Sequence, residues 1–263
     1  MIQRDFHLTE KTLFKRCALL KLSSDEALPV MLPGQFAQVR VDGSSETYLR
    51  RPISIHNVVA EKNEVWLLVQ KAGRGTETLC DLPTGATVNI VLPLGKSFTL
   101  PCLRCSCQAT PSHYLLVGGG VGIAPLLFLA KTLREQYAIT PVCLLGGRSE
   151  SDMLQLDLFR QYGEVYLTTE DASAGVKGFV TDHPILQQMA GTEGLQVCCC
   201  GPKPMMMAVA RWAKASRVSC EVSLENLMAC GLGACLCCVE KTVDGQLCVC
   251  KEGPVFNINQ LLW

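Results

Sequence analysis

Through the first hundred positions, apolar and β-branched residues gather in short blocks at 36–41, 52–59, 65–70 and 87–92. Turn signals such as Asp42-Gly43 and Pro83-Thr84-Gly85 separate them. Short blocks at this spacing predict strands of a small antiparallel β-barrel. From 113 onward the texture changes. Tyr114-Leu115-Leu116-Val117 predicts a buried strand, the glycines after it a turn, and 124–136 a helix. The strand signal returns at 141–145, 165–168 and 196–200. Pro204, suited to a first helical turn, opens a helix predicted to reach Ala215. Strands alternating with helices predict a doubly wound parallel sheet. Beyond about 219 the periodicity fades. The fold class expected is thus β plus α/β, with domains at 1–103, 104–218 and 219–263.

Composition narrows the function classes. The chain has 263 residues, a length that fits two domains at roughly one per 150 residues. It is 48% hydrophobic and 18% charged, which excludes a mainly disordered chain. Lys plus Arg equals Asp plus Glu at 24 each, so there is no electrostatic case for nucleic acid or an anionic membrane. The long apolar run from Tyr114 to Ala130 is interrupted by Gly118, Gly119, Gly120, Gly122 and Pro125, and reads as strand, turn and helix. No apolar leader follows Met1, so the 16 cysteines are expected as thiols or metal ligands in a reducing cytosol.

Seven of those cysteines lie within 220–250. A segment this small builds little core, so a metal centre is expected to organise it. Cys230, Cys235 and Cys238 give the spacing C-x4-C-x2-C, which with a distant fourth cysteine is that of plant-type [2Fe–2S] centres. Thiolates converging on a bulky anionic cluster need small residues and backbone N–H groups around them, and Gly231, Gly233 and Ala234 meet that need. Spacing leaves the fourth ligand open between Cys248 and Cys250, which would share one face of a strand. Cys237 is an alternative third ligand, and a four-cysteine zinc site or thiol redox sensor an alternative centre.

Two glycine loops suggest nucleotide binding. Gly118, Gly119, Gly120 and Gly122 follow a strand and open a helix, so the backbone can approach a pyrophosphate closely. Cys200-Gly201-Pro202 ends another strand before another helix. In the first domain Arg51-Pro52-Ile53-Ser54 offers a guanidinium for phosphate and a hydroxyl for a ring edge. Gly75-Thr76 reads as a second anion-binding turn with Thr76 as helix N-cap. Two such sites in one barrel suggest a dinucleotide such as FAD. Met205-Met206-Met207 reads as core filling, His7, His56, His113 and His183 as surface or packing residues.

Arg51 to Ser54, Gly75-Thr76, the 118–125 loop and Cys200-Gly201-Pro202 stand in ferredoxin-reductase order. With the cysteine tail and Cys250-Lys251-Glu252-Gly253-Pro254-Val255-Phe256 appended, the whole chain resembles the electron-transfer subunits of NAD-dependent (class B) dihydroorotate dehydrogenase. The resemblance implies an FAD barrel, an NAD-binding domain and a C-terminal [2Fe–2S] domain. It assigns Arg51 to Ser54, Leu68, Val69, Gln70, Gly75 and Thr76 to FAD. It assigns Cys230, Cys235, Cys238 and Cys250 to the cluster, leaving Cys237, Cys248 and Cys198 to Cys200 as small buried residues. The implied activity passes electrons from the FMN of a separate catalytic subunit, through the cluster and FAD, to NAD+ in pyrimidine biosynthesis. The implied assembly is a cytoplasmic heterotetramer, two of each subunit. A flavin and iron–sulfur reductase subunit of another NAD(P)H-dependent complex is the alternative enzyme.

Overall fold

The computed structural model describes residues 1–43, 46–102 and 110–263. Six antiparallel strands close a barrel: β1 (Ile2–Leu13), β2 (Cys17–Ser23), β3 (Phe36–Val39), β4 (Arg51–Val59), β5 (Glu64–Gln70) and β6 (Thr87–Leu94). Their order around it is β1-β2-β5-β4-β3-β6, and closure leaves no unpaired edge. The four blocks of the sequence reading became β3 to β6. It did not single out β1 and β2, where Phe6 and Leu8 alternate inward and Cys17-Ala18-Leu19-Leu20 is buried without a break. A helix, α1 (Arg74–Asp81), follows β5.

The parallel sheet comprises β7 (His113–Gly119), β8 (Val142–Gly147), β9 (Glu164–Thr169), β10 (Val176–Lys177), β11 (Leu195–Cys200) and β12 (Ser219–Ser223). Its strands are linked by α2 (Ala124–Tyr137), α3 (Leu156–Tyr162), α4 (Ile185–Met189) and α5 (Lys203–Ser216). Helices cover such a sheet on both faces, so its central strands are continuous apolar runs. Leu115, Leu116 and Val117 are wholly buried, each worth roughly 1.5–3 kcal/mol of transfer free energy. The buried positions of α2 include Leu126, Leu127, Leu129, Ala130 and Leu133, and left-handed Ala138 ends that helix.

The tail has more regular structure than its sequence suggested. Strands β13 (Val239–Thr242) and β14 (Gly245–Cys248) form a hairpin, followed by the short helix α6 (Val249–Glu252). A last strand, β15 (Val255–Asn257), joins the parallel sheet beside β12, giving the order β10-β9-β8-β7-β11-β12-β15. The chain forms two compact units, one of 1–97 with 225–255 and one of 98–224 with 256–263. The domain boundary expected at 103/104 lies outside the described residues. Among the described residues no helix is long and apolar enough to cross a membrane.

Candidate functional site

The order of the parallel sheet reverses between β7 and β11. Strands β8, β9 and β10 are added on one side of β7, and β11 and β12 on the other. At such a reversal a crevice opens outside the carboxyl ends of the strands, where doubly wound sheets bind ligands. Both glycine loops lie there, with Gly118 directly opposite Cys200 in the β7–β11 register. A Cβ on Gly122 would stand 2.5 Å from the Cys200 carbonyl oxygen and 2.5 Å from the Gly201 nitrogen. Gly122 is therefore the contact through which one loop supports the other. Gly120, at φ +56°, faces open space. Beyond the turn, α2 begins with Pro125 in its first turn, so the helix N-terminus follows directly on this glycine loop.

Met205 is the residue the sequence reading undervalued. Its sulfur would lie 2.6 Å from a Cβ on Gly119, and its terminal methyl 2.6 Å from one on Gly201. Only glycines let the flexible thioether pack under both loops at once. Its place in the first turn of α5, directly behind Gly201-Pro202, was the available signal. Gly122→Ala is expected to destabilise the protein by roughly 1–3 kcal/mol, because the new methyl meets backbone rather than a movable side chain. Thermal unfolding measures this directly, and an unchanged midpoint would contradict the loop contact.

In the barrel, Arg51 begins β4 and its guanidinium crosses the start of α1. A Cβ on Gly75 would stand 2.5 Å from Arg51 Nε and 3.1 Å from its Nη2. The Arg51 Nη1 donates to the Leu49 carbonyl at 3.3 Å. A guanidinium against a helix N-terminus places two positive potentials side by side, an arrangement suited to an anion between them. The expectation that Thr76 is the N-cap is corrected. Gly73 occupies the cap position and Thr76 lies in the first turn. The Thr76 hydroxyl accepts the N–H groups of Ala72 at 2.9 Å and Gly73 at 3.2 Å, tightening the turn from inside. Pro52 and Ser54 face Gln38 and Phe36 across the β3–β4 ladder, and Ile53 is buried. Leu68 and Val69 are core residues of β5 paired with Leu19 and Ala18, so only their backbone could serve a ligand. Gln70, at the end of β5, is partly exposed.

The cysteine loop places its sulfurs in two pairs. Cys230 lies beside Cys235, and Cys238 beside Cys250. Backbone donors surround them. The Leu232 N–H donates to Cys230 Sγ at 3.3 Å, the Gly233 N–H to Cys250 Sγ at 3.1 Å, and the Cys250 N–H to Cys238 Sγ at 3.3 Å. The Leu232 N–H is the main cause that lowers the Cys230 thiol to about 6, helped by Cys235 and Ala234 against the opposing effect of burial. Cys250 is pushed up to about 12, first by burial and then by its bond to Cys238. Among the described residues, no three His, Cys, Asp or Glu side chains meet as a single-ion site would require.

Two expectations for this loop change. Cys248 and Cys250 do not share a strand face, because β14 ends at Cys248 and the chain turns into α6. Cys248 Sγ instead lies 3.9 Å from the Gly233 carbonyl. Cys237 is not a buried residue. It lies with Ala234, Cys235 and left-handed Leu236, at φ +58°, in an exposed stretch before Cys238 returns to the interior. Cys198, Cys199 and Cys200 are wholly buried, as expected.

The family model for the iron–sulfur cluster binding domain of dihydroorotate dehydrogenase B matches residues 225–262, and that for the oxidoreductase NAD-binding domain matches 116–211. The dihydroorotate dehydrogenase B (NAD(+)) electron transfer subunit of Shouchella clausii (strain KSM-K16) is 39% identical over 235 residues, 88% of this chain and 86% of that protein. The chain belongs to this family. The dihydroorotate dehydrogenase B electron transfer subunit of Fusobacterium nucleatum subsp. nucleatum is 35% identical over 242 residues, 90% of this chain and 89% of that one. Among solved structures, the NADH-dependent reduced ferredoxin-NADP oxidoreductase superposes with a TM-score of 0.83 at 26% identity, covering 98% of this chain and 90% of that one. The NAD-binding match contains both glycine loops, and the dihydroorotate dehydrogenase B cluster-binding match contains all four paired cysteines.

Proposed function

We propose that this chain is the electron-transfer subunit of a dihydroorotate dehydrogenase, taking electrons from the FMN of a catalytic subunit and delivering them to NAD+ in pyrimidine biosynthesis. The observation that carries this reading is the two-and-two pairing of sulfurs, Cys230 with Cys235 and Cys238 with Cys250. A two-iron cluster held by four cysteines takes two thiolates at each iron, whereas a zinc ion draws all four to one point. The donor set fits in charge as well, because backbone N–H groups already point at Cys230, Cys238 and Cys250.

When bound, the cluster supplies one-electron transfer, FAD exchanges single electrons for a hydride, and NAD+ accepts that hydride. The residues bind and orient these groups. Cys230, Cys235, Cys238 and Cys250 would hold the cluster, and the N–H groups of Leu232 and Gly233 would stabilise its negative charge. Arg51 with Gly75 and Thr76 would hold the FAD diphosphate, while Pro52, Ile53, Ser54 and the backbone of Leu68 to Gln70 would line the ring system. Gly118, Gly119, Gly120, Gly122, Cys200, Gly201 and Pro202 would let the NAD pyrophosphate approach the backbone, with α2 turned toward its charge.

Exposed Leu227, Leu232 and Leu236 flank the cysteine loop, an apolar fringe suited to covering by the catalytic subunit. A heterotetramer with two copies of each subunit is the assembly we propose. The free thiols of the described cysteines suit a reducing cytoplasm. The purified protein is expected to show flavin and iron–sulfur absorption together, and a colourless zinc-containing protein would overturn the proposal.

A narrower result follows for the flavin. Arg51→Ala is expected to weaken FAD retention by about ten- to a hundredfold, the equivalent of roughly 1.5–3 kcal/mol for a charged hydrogen bond. Arg51→Lys should recover only part of this, since an ammonium cannot reproduce the planar fork. Flavin occupancy after dialysis reads both, and full occupancy in Arg51→Ala would remove Arg51 from the site.

A further inference from the structure

One buried polar side chain has no role in the sites described above. Gln38 lies in the middle of β3, whose other residues, Phe36, Ala37 and Val39, are apolar and buried. It is 1% exposed, and neither its amide nitrogen nor its amide oxygen has a hydrogen-bond partner. Leaving such groups unpaired costs about 1–3 kcal/mol each, whereas an apolar residue there would cost nothing. The strand itself is well anchored, with Arg50 Nη1 donating to the Gln38 carbonyl at 3.3 Å, so only the side chain is left over. Across the ladders Gln38 faces Pro52 and Val91, neither of which offers a polar side chain.

The amide packs instead against the cysteine loop. A Cβ on Gly231 would stand 2.7 Å from both Cγ and Nε2 of Gln38. Gly231 is buried, has φ +72°, and directly follows Cys230. Glycine is thus required twice over at this position, by its left-handed backbone and by the close approach of Gln38. The sequence placed a small residue beside the first cysteine and a glutamine in an apolar strand, and the fold brings them together.

We propose that Gln38 is a positioning residue for the iron–sulfur cluster, its amide N–H donating to sulfur at the Cys230 corner and raising the cluster's reduction potential. The inference rests on Cys230 being a cluster ligand. Hydrogen bonds to cluster sulfurs favour the more negative, reduced form, so this donor from the barrel makes the cluster a better acceptor of electrons from the catalytic subunit. The glutamine thereby ties the strand beside Pro52 to the loop that holds the cluster.

The test uses the holo-complex with its catalytic subunit. In Gln38→Met the cluster potential, followed by EPR during a redox titration, is expected to fall by about 59 mV, a tenfold change in a one-electron equilibrium. Gln38→Glu, of the same shape but anionic, should lower it further. Iron content and the flavin potential should not move in either variant. An unchanged cluster potential at full iron content would overturn the proposal, and so would a shift confined to the flavin. A second measurement needs no variant to fold. Wild-type protein carrying 15N in the glutamine side-chain amide should show nitrogen coupling to the reduced cluster by pulsed EPR, and its absence would also overturn the assignment. Absence of iron from the wild-type protein is a different failure, that of the cluster reading itself.

Discussion

Cys250→Ser is expected to lose most of its iron and acid-labile sulfide, whereas Cys248→Ser, two residues away, keeps the wild-type content. The difference comes from α6. Strand β14 stops at Cys248, whose N–H donates to Glu252 Oε2 at 2.9 Å and whose sulfur lies beside the Gly233 carbonyl. The start of α6 then brings Cys250 to Cys238, and the Val249 N–H donates to the Cys238 carbonyl at 3.1 Å to hold the two segments together. A serine hydroxyl is a hard donor that ionises far less readily than a thiol and makes a poor ligand to an iron–sulfur cluster. Cys230→Ser, Cys235→Ser and Cys238→Ser should behave like Cys250→Ser, and Cys237→Ser like wild type. In each ligand variant the loop should also become more susceptible to proteolysis, since metal binding and local folding share one free energy. Iron loss in Cys237→Ser with retention in Cys238→Ser would shift the ligand register and refute the pairing described above.

The fold could be read from the sequence wherever burial produced a simple pattern. The runs at 114–117, 141–145, 165–168 and 196–200 all became parallel strands, because a strand covered on both faces must be apolar throughout. Glycines before a helix likewise marked both loops at the carboxyl edge. Less visible was β1, whose inward positions are spread along a long strand with polar residues between them. The tail hairpin carried a signal in Asp244-Gly245, where Gly245 has φ +102°, but a cysteine-rich context obscured it. The misplacement of Thr76 has a local cause. A hydroxyl that accepts backbone N–H groups from within the first turn has the same sequence signature as one that caps it.

What the sequence could not supply were the contacts between distant segments. Spacing alone could not separate Cys248 from Cys250, because the choice depends on a strand ending at Cys248, two residues earlier than alternation suggests. Met205 became meaningful only once Gly119 and Gly201 were brought onto it from two different loops. Gln38 and Gly231 lie far apart in the chain, and neither has a motif that names the other. Residues with local roles were found by local patterns, and residues that join segments were not.

The isolated chain is expected to oxidise NADH with an artificial electron acceptor and to form no orotate from dihydroorotate. Its barrel and nucleotide crevice supply what exchange between nicotinamide and flavin requires, which is binding and orientation rather than acid–base catalysis. Dihydroorotate oxidation requires in addition a base that takes a proton from a ring carbon, in a pocket fitted to the pyrimidine. The sites proposed here would hold dinucleotide phosphates or a cluster, and none of the side chains named for them is arranged for that task. Adding the FMN-bearing catalytic subunit should therefore restore dihydroorotate:NAD+ activity. Cluster-ligand variants divide the two reactions. Cys238→Ser should abolish the coupled reaction and leave NADH oxidation by an artificial acceptor largely intact, because the flavin still receives hydride but is cut off from the partner. Orotate formation by the FMN-free chain would overturn this division of labour. Failure of the cognate pair to couple would instead favour a reductase subunit of another complex, the kind of assembly to which the fold is also similar.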